Sequence, residues 1–147
     1  MPTLRRNATT LGAAMARTSF IEHDERQIVF MNFAEIQTTE EALNAIKEAK
    51  EFVAAQPRRR NLLTLVDVTG STQDSTVMDA LQDLAEHDKP WVLAGAVVGV
   101  SAIKRMLFRM VVMMSGRKLA AFTTIDDAKD WLVHQWVPPT SVPDIAR

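Results

Sequence analysis

Segments with the apolar pattern of β-strands alternate along this chain with segments that have the period of amphipathic α-helices. A strand is predicted over residues 27–33, paired with a shorter one over 19–23. Apolar strands follow over 62–68 and 91–100, and a last short strand over 119–123. With the helices between and after them, the order is β(β)αβαβαβα. Because strands joined through helices run parallel, this order predicts an α/β domain whose mixed, mostly parallel sheet of about five strands is backed by four helices.

Each predicted helix begins at a residue whose side chain can accept a bond from a free backbone N–H group. Thr38, with Glu41 three residues later, has the spacing of a capping box, in which each side chain bonds the other residue's N–H. The capping residues of the other three predicted helices are Asp74 or Ser75, Ser101, and Thr124. The sequence therefore marks the first residue of every helix.

Composition limits the classes of partner and chemistry. With 147 residues the chain has the length of one domain, and its net charge of −1 gives no overall basic field. We therefore expect no nucleic-acid partner. The absence of cysteine excludes disulfides and thiolate chemistry and is compatible with a reducing cytoplasm, which is the location that we expect. No cofactor is expected.

The chain divides into three parts. Residues 1–19 form a basic N-terminal arm that is too polar for a signal peptide. Residues 20–134 carry the alternating strands and helices, and residues 135–147 form a tail whose three prolines cannot continue a helix. No run of about 18 uncharged apolar residues occurs, so no membrane span is predicted.

Short segments along the domain carry a resemblance to a known family. They are IKEAK at 46–50, LLTLVDVTG at 62–70, KPWV at 89–92 with AVVGV at 96–100, SGR at 115–117, and Phe122 with AKDWL at 128–132. Together with the element order, they resemble the SpoIIAA-like branch of the STAS (sulphate transporter and anti-sigma-factor antagonist) domain family over about residues 20–133. The resemblance implies a small non-enzymatic domain that docks partners and is similar in shape to CRAL-TRIO-type lipid-binding domains.

The same resemblance draws attention to the loop after the central strand. In anti-sigma-factor antagonists, a serine at the start of the following helix is phosphorylated, and this releases the partner. Ser75 stands at the matching place, and Thr69, Ser71 and Thr72 supply alternative hydroxyls. These four residues are the candidate phosphosites or docking loop. The residues after Ser75 differ from the family, in which a glycine closely follows the serine. Helix capping alone also explains this segment, so a phosphorylation switch and a simple cap both stay open as interpretations.

The third predicted helix, over residues 101–115, has two unlike faces. The stripe Ile103, Met106, Leu107, Met110, Val111 and Met114 suits packing on the sheet. The candidate interaction or membrane face on the other side mixes cations with apolar residues: Lys104, Arg105, Phe108, Arg109, Val112 and Met113. Such a mixture suits a dimer contact or an anionic membrane surface, although scattered exposed apolar residues are also common without a function.

Two functional hypotheses follow. The first is a non-catalytic STAS-like regulatory or interaction module that docks a protein partner and forms a homodimer. The second is binding of a lipid or another amphipathic small molecule, with peripheral association to the inner face of the membrane through helix 101–115. The candidate ligand pocket for this second function consists of Trp91, Met106, Met110 and Met114.

Motifs for catalysis are incomplete. Gly99, Val100 and Ser101 lack the second glycine of a nucleophile elbow. The three histidines are scattered, without the spacing of metal ligands. The sequence predicts neither an enzyme nor a metal site.

Overall fold

The computed structural model describes residues 16–101 and 118–136. Its elements are β1 (Thr18–His23), β2 (Arg26–Asn32), α1 (Thr39–Ala54), β3 (Leu62–Asp67), α2 (Ser75–Asp88), β4 (Val92–Val98), β5 (Leu119–Phe122) and α3 (Ile125–Gln135). These are the five predicted strands and three of the four predicted helices. The third predicted helix, over 101–115, falls outside the described residues apart from its first position.

The five strands form one sheet in which spatial order follows chain order, β1-β2-β3-β4-β5. β1 and β2 are an antiparallel hairpin, and the other three pairings are parallel. This confirms the predicted mixed, mostly parallel sheet. β1 begins earlier than the domain boundary placed at residue 20, because Thr18 already pairs with Met31.

Helices cover both faces of the sheet. α1 and α2 pack over one face, in a core cluster that includes Val29, Val53 and Val97. α3 packs over the other face, in a second cluster that includes Ala96 and Leu132. Successive residues of β4 therefore enter different cores, which explains why this strand is an unbroken apolar run rather than an alternating one. Among residues 16–101 and 118–136, no helix has the length and apolar character needed to cross a bilayer.

The helix starts follow the predicted caps. Thr38, Asp74 and Thr124 each accept a bond from the backbone N–H three residues later, at 3.1, 2.8 and 3.2 Å. The reciprocal half of the capping box at Thr38 is not formed. The Glu41 carboxylate instead accepts a bond from Arg17 Nη2 at 3.0 Å, because a nearby guanidinium offers it a charged partner.

Candidate functional site

The loops that follow β2, β3 and β4 meet where these parallel strands end, the usual place for a binding site in an open α/β sheet. We call these three loops, residues 33–38, 68–74 and 99–101, the loop edge. Glu35 N–H in the first loop donates to Thr69 O in the second at 2.9 Å. Gln73 Nε2 in the second loop donates to Gly99 O in the third at 3.2 Å. These bonds join the three loops into one surface.

Each loop of this edge contains one residue with a positive φ angle: Glu35 at 63°, Gly70 at 70° and Gly99 at 92°. Glycine adopts this backbone region without steric cost, whereas a residue with a Cβ pays for it. The two glycines therefore have a local structural role, and the glutamate is held in a less favourable conformation by the loops around it.

The structure brings the four candidate hydroxyl residues together on the loop edge and at the start of α2. Thr69 Oγ1 donates to Asp67 Oδ1 at 2.6 Å, and the half-buried Ser71 donates to a backbone carbonyl at 2.7 Å. Thr72 is half-buried as well. Ser75 is exposed as the first residue of α2, and its hydroxyl makes no hydrogen bond among the described residues. Thr69 is exposed too, but its hydroxyl is engaged by Asp67, so Ser75 is the exposed member of the four whose hydroxyl has no partner among the described residues.

Asp74, rather than Ser75, caps α2. Its Oδ1 accepts from the N–H of Val77 at 2.8 Å, and its Oδ2 accepts from Thr39 Oγ1 at 2.5 Å. One carboxylate thus joins the first turns of α1 and α2. Asp74 caps the helix and Ser75 carries the exposed hydroxyl, so helix capping does not explain the serine at position 75.

A shallow apolar depression lies between α1 and α2 and adjoins the loop edge. It is lined by Phe33, Ile36, Ala42, Ile46, Val68, Ser71, Thr72, Val77 and Leu81. Its cavity volume is about 10 Å³, room for about one water molecule, which is far below the roughly 300–1,000 Å³ of typical small-molecule pockets. The depression is therefore an apolar patch of surface and not a cavity for a lipid.

Trp91, the one described member of the candidate ligand pocket, has the contacts of a packed core residue. It is 6% exposed, and its Nε1–H donates to Gln56 O at 2.9 Å. The His87 ring stacks on it with a centroid separation of 5.4 Å, and the Arg58 guanidinium lies 4.9 Å from its ring. The pocket's other members and the whole interaction or membrane face lie outside the described residues: Met106, Met110 and Met114, and Lys104, Arg105, Phe108, Arg109, Val112 and Met113.

A group of possible metal ligands lies at the other end of the sheet, and sequence spacing did not indicate it. His23 Nε2 is 2.8 Å from Asp130 Oδ1 and 3.6 Å from Asp24 Oδ2. All three ligand atoms lie within 4.8 Å of one another. His23 and Asp130 are 107 positions apart, so only the packing of α3 beside the β1–β2 hairpin brings them together.

No protein-family model matches the sequence, and no curated protein matches it either. Among solved structures, the chain is similar to an uncharacterised protein of the DUF3478 family with a SpoIIAA-like fold from Shewanella loihica PV-4. The TM-score is 0.58, with 15% identity over 78% of this chain and 91% of that chain. An anti-sigma factor antagonist from Mycobacterium paratuberculosis matches with a TM-score of 0.46 and 19% identity, over 78% of this chain and 92% of that one. The first similarity confirms the SpoIIAA-like fold.

Proposed function

We propose that this chain is a non-catalytic regulatory module that docks a protein partner at the loop edge and in the adjoining depression between α1 and α2. The observation that carries the proposal is the exposed Ser75 hydroxyl at the start of α2, which has no hydrogen-bond partner among the described residues and lies beside a shallow apolar depression. An apolar patch next to polar hydroxyls is a usual composition for a protein interface.

A phosphate on Ser75 would change this surface strongly. It adds a charge of about −2 and three acceptor oxygens. The neighbouring Asp74 carboxylate already accepts from the N–H of Val77, so one donor of the first helical turn is engaged. The added phosphate would face Asp74 as a like charge and would make the edge strongly anionic. A partner seated on the unphosphorylated edge would then dissociate.

Phosphopeptide mapping of the full chain, purified from its native host, tests the modification. We expect phosphate on Ser75 and its loss in Ser75→Ala. Phosphate found only on Thr69, Ser71 or Thr72 would show that the regulatory residue lies in the loop after β3 and is not Ser75. If none of these four residues carries phosphate under any growth condition, the regulatory part of the proposal is wrong.

Affinity capture from the host extract tests docking. Immobilised wild-type chain and Ser75→Ala should retain the same protein, and Ser75→Glu should release it. Glu86→Gln, a charge change at an exposed residue near the far end of α2, is the matched control and should retain the partner. Equal retention by Ser75→Glu and Ser75→Ala would contradict docking at this edge.

The proposal includes self-association. Its basis is the sequence pattern of the candidate interaction face, in which Phe108 and Val112 stand among cations. Apolar residues on a second helix face are normally covered, and a second copy of the chain would cover them.

A further inference from the structure

We propose that His23, Asp24 and Asp130 form a binding site for a divalent transition metal of the Zn²⁺ class. The three side chains come from different elements: His23 ends β1, Asp24 lies in the turn of the hairpin, and Asp130 projects from α3. The proposal is independent of docking at the loop edge, because the hairpin turn lies at the opposite end of the parallel strands.

The distances between the donor atoms fit a small cation. Zn²⁺ binds nitrogen and oxygen at about 2.0–2.2 Å in tetrahedral geometry, so neighbouring ligand atoms lie about 3.4 Å apart. The two contacts of His23 Nε2, at 2.8 Å to Asp130 and 3.6 Å to Asp24, bracket this value. Only a small adjustment of the two exposed carboxylates is needed to surround an ion.

The donor set selects the class of metal. An imidazole nitrogen suits Zn²⁺ and its transition-metal neighbours, whereas Mg²⁺ and Ca²⁺ prefer oxygen ligands alone. Two carboxylates also balance the two positive charges of the ion. Three protein ligands leave one tetrahedral position for water, so we expect reversible binding.

Nearby groups leave the three ligands accessible to a cation. Arg26 pairs with His23 across the hairpin, but its guanidinium lies over the Trp136 ring, 4.0 Å from the centroid. The turn itself is fixed, since Asp24 and Glu25 have φ angles of 51° and 65° in a two-residue hairpin connection. Asp24 is therefore presented toward α3 by the backbone rather than by a flexible loop.

A bound ion would connect the hairpin to α3. β1 is an edge strand of the sheet, and Asp130 is the α3 residue that reaches its end. The His23–Asp130 bond already makes this connection once. A metal would replace this hydrogen bond with coordination bonds to His23 and Asp130 and would add Asp24, so that hairpin and helix would be held by three ligands.

Isothermal titration of Zn²⁺ into the full, untagged chain at neutral pH, after removal of metals with EDTA, tests the site. We expect one Zn²⁺ per chain with micromolar or tighter affinity, and no binding of Mg²⁺. His23→Gln and Asp130→Asn should each weaken the affinity at least about ten-fold. Asp24→Asn should weaken it as well, and this variant should fold normally because asparagine tolerates positive φ.

Two controls separate this site from general binding to histidine or acidic groups. His134 lies one turn beyond Asp130 on α3 with its Nδ1 bonded to Asp130 O at 2.7 Å, and it is outside the cluster. His134→Gln and Asp126→Asn should therefore keep the wild-type affinity. Absence of Zn²⁺ binding, equal binding by the three ligand variants, equal binding of Mg²⁺, or loss of binding in His134→Gln would each overturn the proposal.

Discussion

Gly99 approaches Thr69 so closely that a Cβ on the glycine would lie 2.6 Å from the Thr69 backbone nitrogen and 2.7 Å from its Cα. No side-chain movement can relieve a contact with backbone. At Gly70 the nearest atoms that a Cβ would meet are those of the Glu35 carboxylate, and that exposed side chain can turn toward solvent. The two glycines of the loop edge therefore differ in what surrounds them, although both have positive φ.

We expect Gly99→Ala to lower the free energy of unfolding by about 3 kcal/mol, from the left-handed backbone conformation and the backbone clash together. Gly70→Ala should cost about 1 kcal/mol, because only the conformational part remains. Urea denaturation of the two variants measures both values. Equal costs would show that the loops after β3 and β4 separate easily, which would contradict a preformed loop edge.

Asp74 stabilises the first turns of two helices, and Asp74→Ala should lower the free energy of unfolding by about 1–2 kcal/mol. Asp74→Asn is the matched control and should retain most of the stability, since asparagine caps helices as well as aspartate does. Thr39→Val removes only the bond between α1 and α2 and should cost about 0.5–1.5 kcal/mol. Denaturation midpoints of the three variants check this order, and a neutral Asp74→Ala would contradict it.

The pKa of Asp83 is lowered from 3.8, first because its carboxylate accepts a hydrogen bond from Lys50 Nζ and also through the charge of Lys50. A carboxyl whose pKa is lower in the folded chain stabilises the fold above its unfolded pKa, and this stabilisation is lost as the pH falls through the folded value. In Lys50→Met, NMR titration should show the pKa of Asp83 rising toward its ordinary value. Added salt should reduce the shift in wild-type protein, because both groups are near solvent. An unchanged titration curve in Lys50→Met would contradict this cause.

Local sequence signals predicted the helix starts and the sheet, and they failed where distant residues meet. Thr124 caps its helix as predicted, and Asp74 is the one of the two predicted candidates that caps α2, because capping depends on residues within one turn. The side chain of Glu41 was wrongly assigned to Thr38, because Arg17, distant in sequence, competes for it. The His23–Asp130 contact was missed for the same reason, since it depends on how α3 packs. Prediction from the sequence is thus accurate for short-range interactions and incomplete for the candidate sites.

Trp91→Phe should lower the free energy of unfolding by about 1–2 kcal/mol, because the hydrogen bond to Gln56 O is lost and its acceptor is left without its donor. Trp131→Phe is the control. Trp131 is half-buried and contacts Phe122 at a ring separation of 5.6 Å, so the smaller ring should be tolerated with less loss of stability. Thermal denaturation followed by circular dichroism measures the stability of both variants. A larger cost at Trp131 would show that Trp91 is not the anchored core residue that its contacts indicate.

Phe108→Asp tests the face predicted from the sequence of helix 101–115, which lies outside the described residues. The substitution removes a large apolar side chain from the contact and requires a carboxylate to lose its hydration there, so we expect the variant to be monomeric where the wild-type chain is a dimer. Light scattering of both proteins measures the mass. Leu43→Asp is the control, because Leu43 is 38% exposed on α1 and belongs to neither proposed surface, and it should leave the mass unchanged.

The same variant decides between docking and the lipid alternative. Wild-type chain that is monomeric, binds anionic vesicles and loses this binding as salt rises would assign the cations and Phe108 to a membrane surface. Phe108→Asp would then release the chain from vesicles without altering its mass. Docking alone predicts no vesicle binding by either protein. The basic face can bind anionic lipid only if it is uncovered in solution.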